Sequence, residues 1–244
     1  MNISKVSAVK RFKNLLFSLV LLTPILVQAA GMGVSVPVTI TETERLDYSN
    51  VNLSDATYRY EPSSGLGFVF DSNIGKNRDF SYRLNLEYTL SELESSNRLY
   101  SETFSKHKYN IVNTFAFSVY HSRYVRFWVG PRINVQYEHM SSSSNIRRQN
   151  SYGIGLAAAT GVNIMLARTV ALAADLDYHG TLLFGGEKYR DYDGTTIEGE
   201  THYSVYGGTN KGVTARFYLL FRFGEQYEQN EKEISSRSVI DDSL

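Results

Sequence analysis

Apolar and polar residues alternate without a break between Val125 and Glu138. One side carries Val125, Phe127, Val129, Pro131, Ile133, Val135 and Tyr137, and the other carries Arg126, Trp128, Gly130, Arg132, Asn134, Gln136 and Glu138. A period of two residues is typical of a β-strand with two different faces. Strands in globular proteins usually run about five or six residues, whereas a tilted strand that crosses a bilayer needs about 9–11. The length and the strict alternation therefore predict a membrane-crossing strand.

Seven further segments show the same alternation, each bounded by polar or glycine-rich residues. They run near Met32–Ile40, Gly65–Phe70, Phe80–Leu90, Tyr109–Val119, Ile154–Leu166, Val170–His179 and Val213–Phe223. The Tyr109–Val119 segment is imperfect, because Asn113 falls on its apolar face. The pattern as a whole predicts an all-β fold, an eight-stranded antiparallel up-and-down transmembrane β-barrel.

The predicted connections alternate between long and short. The long ones span 41–64, 91–108, 138–152 and 185–211, and the short ones span 71–79, 120–124 and 166–169. Outer-membrane barrels have short periplasmic turns and longer loops outside the cell. We therefore expect four exposed loops and periplasmic N- and C-termini.

The volume of the barrel interior decides which face contacts lipid, since a soluble lipocalin-type barrel would alternate as well. Eight strands enclose a space that side chains just fill, and the many Leu, Ile, Val, Phe and Tyr residues would not fit there. The other face mixes Gly and Ala with long polar residues. If the fifth and sixth strands pair symmetrically, Trp128 lies opposite Gly161 and Arg132 opposite Ala157. The apolar face is therefore predicted to contact lipid, with aromatic girdles at Tyr88, Tyr109, Tyr137, Tyr178, Phe221 and Phe223.

The chain begins with a targeting pattern. Lys5, Lys10, Arg11 and Lys13 precede an apolar run at 15–27 and small residues at 29–31, so we interpret residues 1–30 as a secretory signal peptide. The chain has 25 Lys and Arg residues, and removing the four in the signal peptide leaves 21 against 25 Asp and Glu residues. The resulting negative net charge makes nucleic acid an unfavourable partner. Residues 31–223 form the predicted barrel, and the acidic residues 224–244 a short disordered periplasmic tail.

The last predicted strand, GVTARFYLLFRF, resembles the assembly signal of small outer-membrane proteins, with Phe223 as its final aromatic residue. Over residues 31–223 the chain resembles the eight-stranded OmpA-barrel, OmpX and Ail type. The resemblance implies a monomer in the outer membrane of a Gram-negative bacterium. It also implies contact with outer-membrane lipid and lipopolysaccharide, and with the barrel-assembly machinery through the C-terminal strand. Adhesins, enzymes and structural proteins share this architecture, so the resemblance leaves the activity open.

Charged residues of both signs fall on the predicted lumen face. Buried charges must be paired, so we expect a salt-bridge network that plugs the lumen; the alternative is a narrow channel for ions or small solutes. The residues are Arg83, Glu87, Arg126, Arg132, Asp175, Asp177, His179, Arg216 and Arg222.

Two patterns suggest other chemistry. Asp175, Asp177 and His179 share one face, but that spacing is the lumen period, so we predict neither a metal site nor a cofactor. His202 and Ser204, with Glu198 or Glu200, resemble the site of outer-membrane lipid A deacylases, in which His activates Ser. The motif is short, and an ordinary polar loop is the simpler interpretation. We expect a non-enzymatic structural or adhesin-like protein whose loops contact a host or surface ligand; a channel and a lipid A-modifying enzyme are the alternatives.

Overall fold

A computed structural model describes residues 31–47, 57–72, 79–96, 101–122, 124–142, 147–167, 169–190 and 201–222. The predicted signal peptide, the acidic tail, Phe223, Glu198 and Glu200 lie outside these ranges. The described residues form eight strands: β1 (Gly31–Asp47), β2 (Thr57–Asp71), β3 (Phe80–Ser96), β4 (Ser101–His121), β5 (Val125–Ser142), β6 (Arg147–Met165), β7 (Val170–Arg190) and β8 (Thr201–Arg222). None of the described residues belongs to a helix long and apolar enough to cross a membrane.

The strands form one closed antiparallel ring in chain order, with β8 paired to β1. The register is staggered. From Val34, directly opposed residues lead through Phe68, Leu86, Ile111, Val135, Ile154, Leu182 and Thr209 to Glu44, ten residues further along β1. Such a stagger requires tilted strands, at about 35–45° to the barrel axis. The predicted fold is confirmed.

The two faces of the wall differ as the alternation predicts. Outward residues such as Leu66, Leu156 and Phe217 are 69%, 69% and 58% exposed, whereas inward Arg132 and Trp128 are each 1% exposed. An exposed apolar surface around a polar interior is the arrangement of a barrel whose solvent is lipid. The predicted pairs Trp128–Gly161 and Arg132–Ala157 are confirmed by the register of β5 and β6.

The predicted bounds of the four long connections were wrong. Strands continue through most of segments 41–64, 91–108, 138–152 and 185–211, and only 48–56, 97–100, 143–146 and 191–200 separate them. These strand ends have polar residues on both faces, so they lack the alternation that marks the membrane-crossing parts. We call the strand ends that flank these four connections the distal rim, and the end at Gly31 and Arg222 the proximal end.

Asn113, the polar exception on the apolar face, is 7% exposed and accepts a hydrogen bond from the Tyr82 hydroxyl. Neighbouring side chains therefore shield the amide from lipid, and its oxygen has a partner. This removes most of the cost of a polar group in an apolar solvent.

Candidate functional site

A cluster of seven charged side chains fills the middle of the lumen, and we call it the central cluster. The inward period of five strands brings them together: Asp71, Arg83, Glu87, Arg132, Asp175, Asp177 and Arg216, each at most 5% exposed. Each strand contributes one or two residues, so residues distant in sequence meet at the barrel axis.

The central cluster contains ion pairs that cross the lumen and others that link adjacent strands. Arg83 lies 2.6 Å from Asp71 and 3.5 Å from Asp175, and Arg132 lies 2.8 Å from Asp175. Arg216 lies 2.5 Å from Glu87. Asp177 contacts both Arg132 and Arg216. Because β3 faces β7 across the ring, the Arg83–Asp175 pair joins opposite walls, whereas the Arg83–Asp71 and Arg216–Asp177 pairs link adjacent strands.

Aromatic and amide groups complete the cluster. The Arg83 guanidinium carbon lies 5.3 Å from the Trp128 ring centroid and 4.7 Å from that of Tyr218, distances typical of cation–π contacts. The Tyr218 hydroxyl donates to Asp175 at 2.5 Å. Arg83 also donates to Asn163 at 3.0 Å. The guanidinium is thus surrounded by ring faces and hydrogen-bond acceptors, as a buried cation requires.

A small cavity lies on the distal side of the central cluster. His179, 3.0 Å from Asp177, lines it together with Lys108, Asn110, Asn134 and other polar residues. Its volume is about 10 Å³, which is close to the smallest that holds one water. This space is too small for a solute.

A second group, the distal cluster, closes the lumen nearer the distal rim. Lys106 lies 2.7 Å from Glu61 and 3.1 Å from Glu138, and Lys108 lies 3.9 Å from Glu138. Glu138 also accepts a hydrogen bond from Ser151 at 3.1 Å. The two lysines and two glutamates thus form a second layer of ion pairs within the lumen.

Apolar side chains pack together near the proximal end of the lumen, beside charged Asp71 and Arg126. Val69, Ala171, Ala173 and Leu220 pack together there, each at most 6% exposed. This apolar group contacts the proximal part of the central cluster, because Tyr218 belongs to it and also donates a hydrogen bond to Asp175.

The predicted lumen residues divide into two groups. Arg83, Glu87, Arg132, Asp175, Asp177, His179 and Arg216 meet in or beside the central cluster, whereas Arg126 donates to Ser118 at 2.5 Å and Arg222 ends β8. The sequence analysis missed Asp71, Glu61, Lys106 and Lys108. These residues fell in segments interpreted as connections, and extending the strand period into those segments would have placed them inside.

Ser204 lies in β8 rather than in a loop. It is directly opposite Glu187 of β7, shares the inward period of Tyr206, and is 5% exposed. Its hydroxyl makes no hydrogen bond to the described residues. His202, two residues before Ser204 on β8, is opposite Tyr189. A serine directed into the barrel is poorly placed to attack a lipid in the surrounding leaflet.

Five aromatic residues lie directly opposite one another on the outward face of β3 to β7: Tyr88, Tyr109, Tyr137, Tyr152 and Phe184. We call this the aromatic row. It contains three predicted girdle tyrosines, whereas Tyr178 lies outside it, opposite Ala158 and Val213, and is 63% exposed. Phe221, also of the predicted girdle, lies outward near the proximal end of β8 and is 43% exposed.

Comparison with known proteins identifies the fold through structures alone. No protein-family model and no curated protein sequence matches the chain. The structure of the outer membrane protein OprG from Pseudomonas aeruginosa matches with a TM-score of 0.52 and 11% sequence identity, over 82% of this chain and 99% of OprG.

Two further structures are similar at lower scores. The attachment invasion locus protein Ail of Yersinia pestis matches with a TM-score of 0.33 and 10% identity, over 78% of this chain and 99% of Ail. The outer membrane protease OmpT from Escherichia coli matches with a TM-score of 0.45 and 8% identity, over 80% and 97%. Proteins of this architecture differ in activity, so the fold does not decide between them. The resemblance to small outer-membrane barrels is thus confirmed at the level of the fold, and the chain forms a β-barrel of the kind found in those proteins.

Proposed function

We propose that this protein is a non-enzymatic outer-membrane anchor with a closed lumen, which presents its distal rim at the cell surface for contact with other molecules. The proposal rests on the cross-lumen ion pairs. A pore needs a continuous polar path wider than its solute. Here the central cluster and the distal cluster follow one another along the axis, and both consist of buried ion pairs.

The rim supports the proposed orientation. Strands extend well past the aromatic row toward the distal rim. At the proximal end they stop close to exposed apolar side chains of the outward face, such as Met32 and Phe221. In outer-membrane barrels the longer extensions lie outside the cell. The distal rim is then extracellular, and both ends of the barrel chain are periplasmic.

A narrow channel is the competing function, and single-channel recording in planar bilayers separates the two. We expect no discrete current steps from protein that is shown to be folded by its heat-modifiable gel mobility. The variant Glu87→Ala/Arg216→Ala/Lys106→Ala/Glu138→Ala, which truncates one ion pair in each of the two clusters, should produce steps and show that the assay detects an opened lumen.

A matched control loses the same types of charge outside the lumen. Glu42 and Lys211 are directly opposite each other on β1 and β8 and face outward. Glu42→Ala/Lys211→Ala should therefore remain silent. Regular current steps from folded wild-type protein would overturn the proposal in favour of the channel.

A further inference from the structure

Two histidines lie directly opposite each other on the outward face of the wall, one outward position beyond the aromatic row toward the distal rim. His107 belongs to β4 and His139 to β5, and their ring centroids are 6.3 Å apart. Both side chains are partly exposed. Directly opposed residues on neighbouring antiparallel strands have Cβ atoms about 4.5–5.5 Å apart, so the strand pairing itself holds the two imidazoles side by side.

Each imidazole is fixed through its Nδ1 atom. His107 Nδ1 lies 2.7 Å from the Tyr88 hydroxyl on β3, and His139 Nδ1 lies 2.8 Å from Asn150 Oδ1 on β6. Strands β3 and β6 flank the β4–β5 pair on opposite sides, so the two Nδ1 atoms are turned away from each other. In an imidazole, Nε2 lies on the other side of the ring from Nδ1. The two Nε2 atoms are therefore on the sides of the rings that face each other.

The same hydrogen bonds set the protonation of the rings. Asn150 Oδ1 also accepts a hydrogen bond from the Tyr137 hydroxyl at 2.9 Å, and an amide oxygen can only accept. His139 Nδ1 therefore donates to Asn150, which leaves a lone pair on Nε2 of the neutral ring. The Tyr88 hydroxyl can accept from His107 Nδ1 in the same way. Histidines that bind metals almost always donate their other ring N–H to a nearby acceptor.

The spacing of the rings suits one shared metal ion. Two imidazoles bound to the same ion through Nε2, with Zn–N bonds of about 2.0–2.1 Å, have ring centres roughly 5 Å apart. The 6.3 Å between the His107 and His139 centroids therefore requires only a small rotation of the side chains. Exposed Glu92 on β3 and exposed Arg148 on β6 lie one outward position further, on the two sides of the pair. Their opposite charges offset each other near a bound cation.

We propose that His107 and His139 form a binding site for a divalent transition-metal ion. The ligands are the two Nε2 atoms, and Tyr88 and Asn150 orient the rings. Imidazole nitrogen suits Zn²⁺ and Cu²⁺, and Cu²⁺ should bind more tightly. No group of three or more His, Cys, Asp or Glu side chains in the described strands could hold a metal, so water completes the coordination. Those water positions face outward, where a donor from another molecule can replace them.

This inference goes beyond the proposed function and does not depend on it. The site is a property of the outward wall, and metal binding by purified protein is independent of whether the lumen is closed and of which side of the membrane the distal rim occupies. Current steps in a planar bilayer would defeat the proposed function and leave the metal site untouched.

The first test is calorimetric titration of Zn²⁺ into folded protein that carries no histidine tag. We expect one Zn²⁺ per chain. Loss of a hydrogen-bond partner of a ligating histidine typically costs about 10–100-fold in affinity, so Asn150→Ala should weaken binding by about tenfold, and Asn150→Asp, which keeps the acceptor, should retain it. His107→Gln and His139→Gln each remove a ligand and should weaken binding further. His121→Gln removes an exposed histidine at the proximal end of β4 and is the matched control.

Electron paramagnetic resonance of bound Cu²⁺ counts the nitrogen ligands directly. Two coupled nitrogens are expected in wild type and in His121→Gln, and one in His107→Gln or His139→Gln. Gel mobility shows that each variant is folded before it is measured. Absence of binding to wild type at millimolar Zn²⁺ would overturn the proposal. Zn²⁺ affinity and Cu²⁺ spectra that are the same in wild type and in both ligand variants would also overturn it, because the ions would then bind elsewhere.

Discussion

Arg83 on β3 and Asp175 on β7 lie 3.5 Å apart, although three strands separate β3 from β7 in either direction around the ring. A contact between opposite walls means that side chains of ordinary length span the lumen. The central cluster therefore braces opposite walls of the barrel. Its members are buried, so each charge depends on its partners for compensation.

Asp175→Ala should strongly destabilise the barrel. Asp175 accepts contacts from Arg132 at 2.8 Å and from the Tyr218 hydroxyl at 2.5 Å. Its removal leaves buried guanidinium groups short of negative charge, at a cost of about 3–5 kcal/mol. Urea unfolding in phospholipid vesicles measures this cost, and Trp128, which is the only tryptophan in the chain, reports the transition.

Glu92→Ala is the matched control for that measurement. Glu92 is an exposed acid on the outward face of β3, and surface substitutions of this kind usually change the free energy of unfolding by no more than about 0.5 kcal/mol. Equal losses in the Asp175 and Glu92 variants would contradict a bracing role for the central cluster.

The membrane-crossing part of the fold could be predicted because lipid imposes a simple rule on it. The alternation between Val125 and Glu138 follows from one apolar and one polar environment. Pairing β5 and β6 symmetrically about their connection then placed Trp128 opposite Gly161, as the register shows.

The distal rim could not be predicted in the same way, because water lies on one side of it and polar side chains on the other. Ser105 and Ser141 face outward next to buried Lys106 and Ser142, so no contrast in hydropathy marks the strands. The distal cluster was missed for that reason. The exact ion pairs were also beyond prediction, since they depend on the stagger around the whole ring.

Gly161→Ala and Gly180→Ala should have opposite effects on stability. A Cβ at Gly161 would lie 2.6 Å from Trp128 Cε2 and 2.8 Å from the Ala174 carbonyl oxygen, whereas a Cβ at Gly180 meets nothing within 4 Å. Overpacking should cost about 1–3 kcal/mol at the first site, and replacing glycine in a strand should gain about 0.5 kcal/mol at the second. Thermal unfolding followed by gel mobility measures both effects. Equal shifts in the melting temperature of the two variants would show that the contact with Trp128 does not determine the effect of Gly161→Ala.

The two ends of β4 provide a direct test of orientation. Thr103 is exposed at the distal rim and His121 at the proximal end, and the chain has no native cysteine. We expect a membrane-impermeant maleimide to label Thr103→Cys in intact cells and to label His121→Cys only after the outer membrane is permeabilised. The reverse pattern would place the distal rim in the periplasm.

Lipid A should be unchanged by this protein. Ser204 faces inward and is 5% exposed, so it cannot approach an acyl ester in the leaflet without leaving its strand. Mass spectrometry of lipid A from cells that express wild type, Ser204→Ala or no protein should give the same spectrum. An acyl chain lost with wild type and retained with Ser204→Ala would establish a deacylase and refute the non-enzymatic proposal.

Tyr82→Phe should expose the cost of placing Asn113 on the lipid-facing side of the wall. The variant removes the hydroxyl that donates to the Asn113 side-chain oxygen, and an unpaired buried amide costs about 1–3 kcal/mol. Adding Asn113→Val removes the stranded polar group, so Tyr82→Phe/Asn113→Val should recover most of the stability. Tyr178→Phe, at a lipid-facing tyrosine with no hydrogen bond to the described residues, serves as the control in the same urea titration. If the double variant were no more stable than Tyr82→Phe, the loss would come from packing of the ring, and the hydrogen bond would not explain how the strand tolerates Asn113.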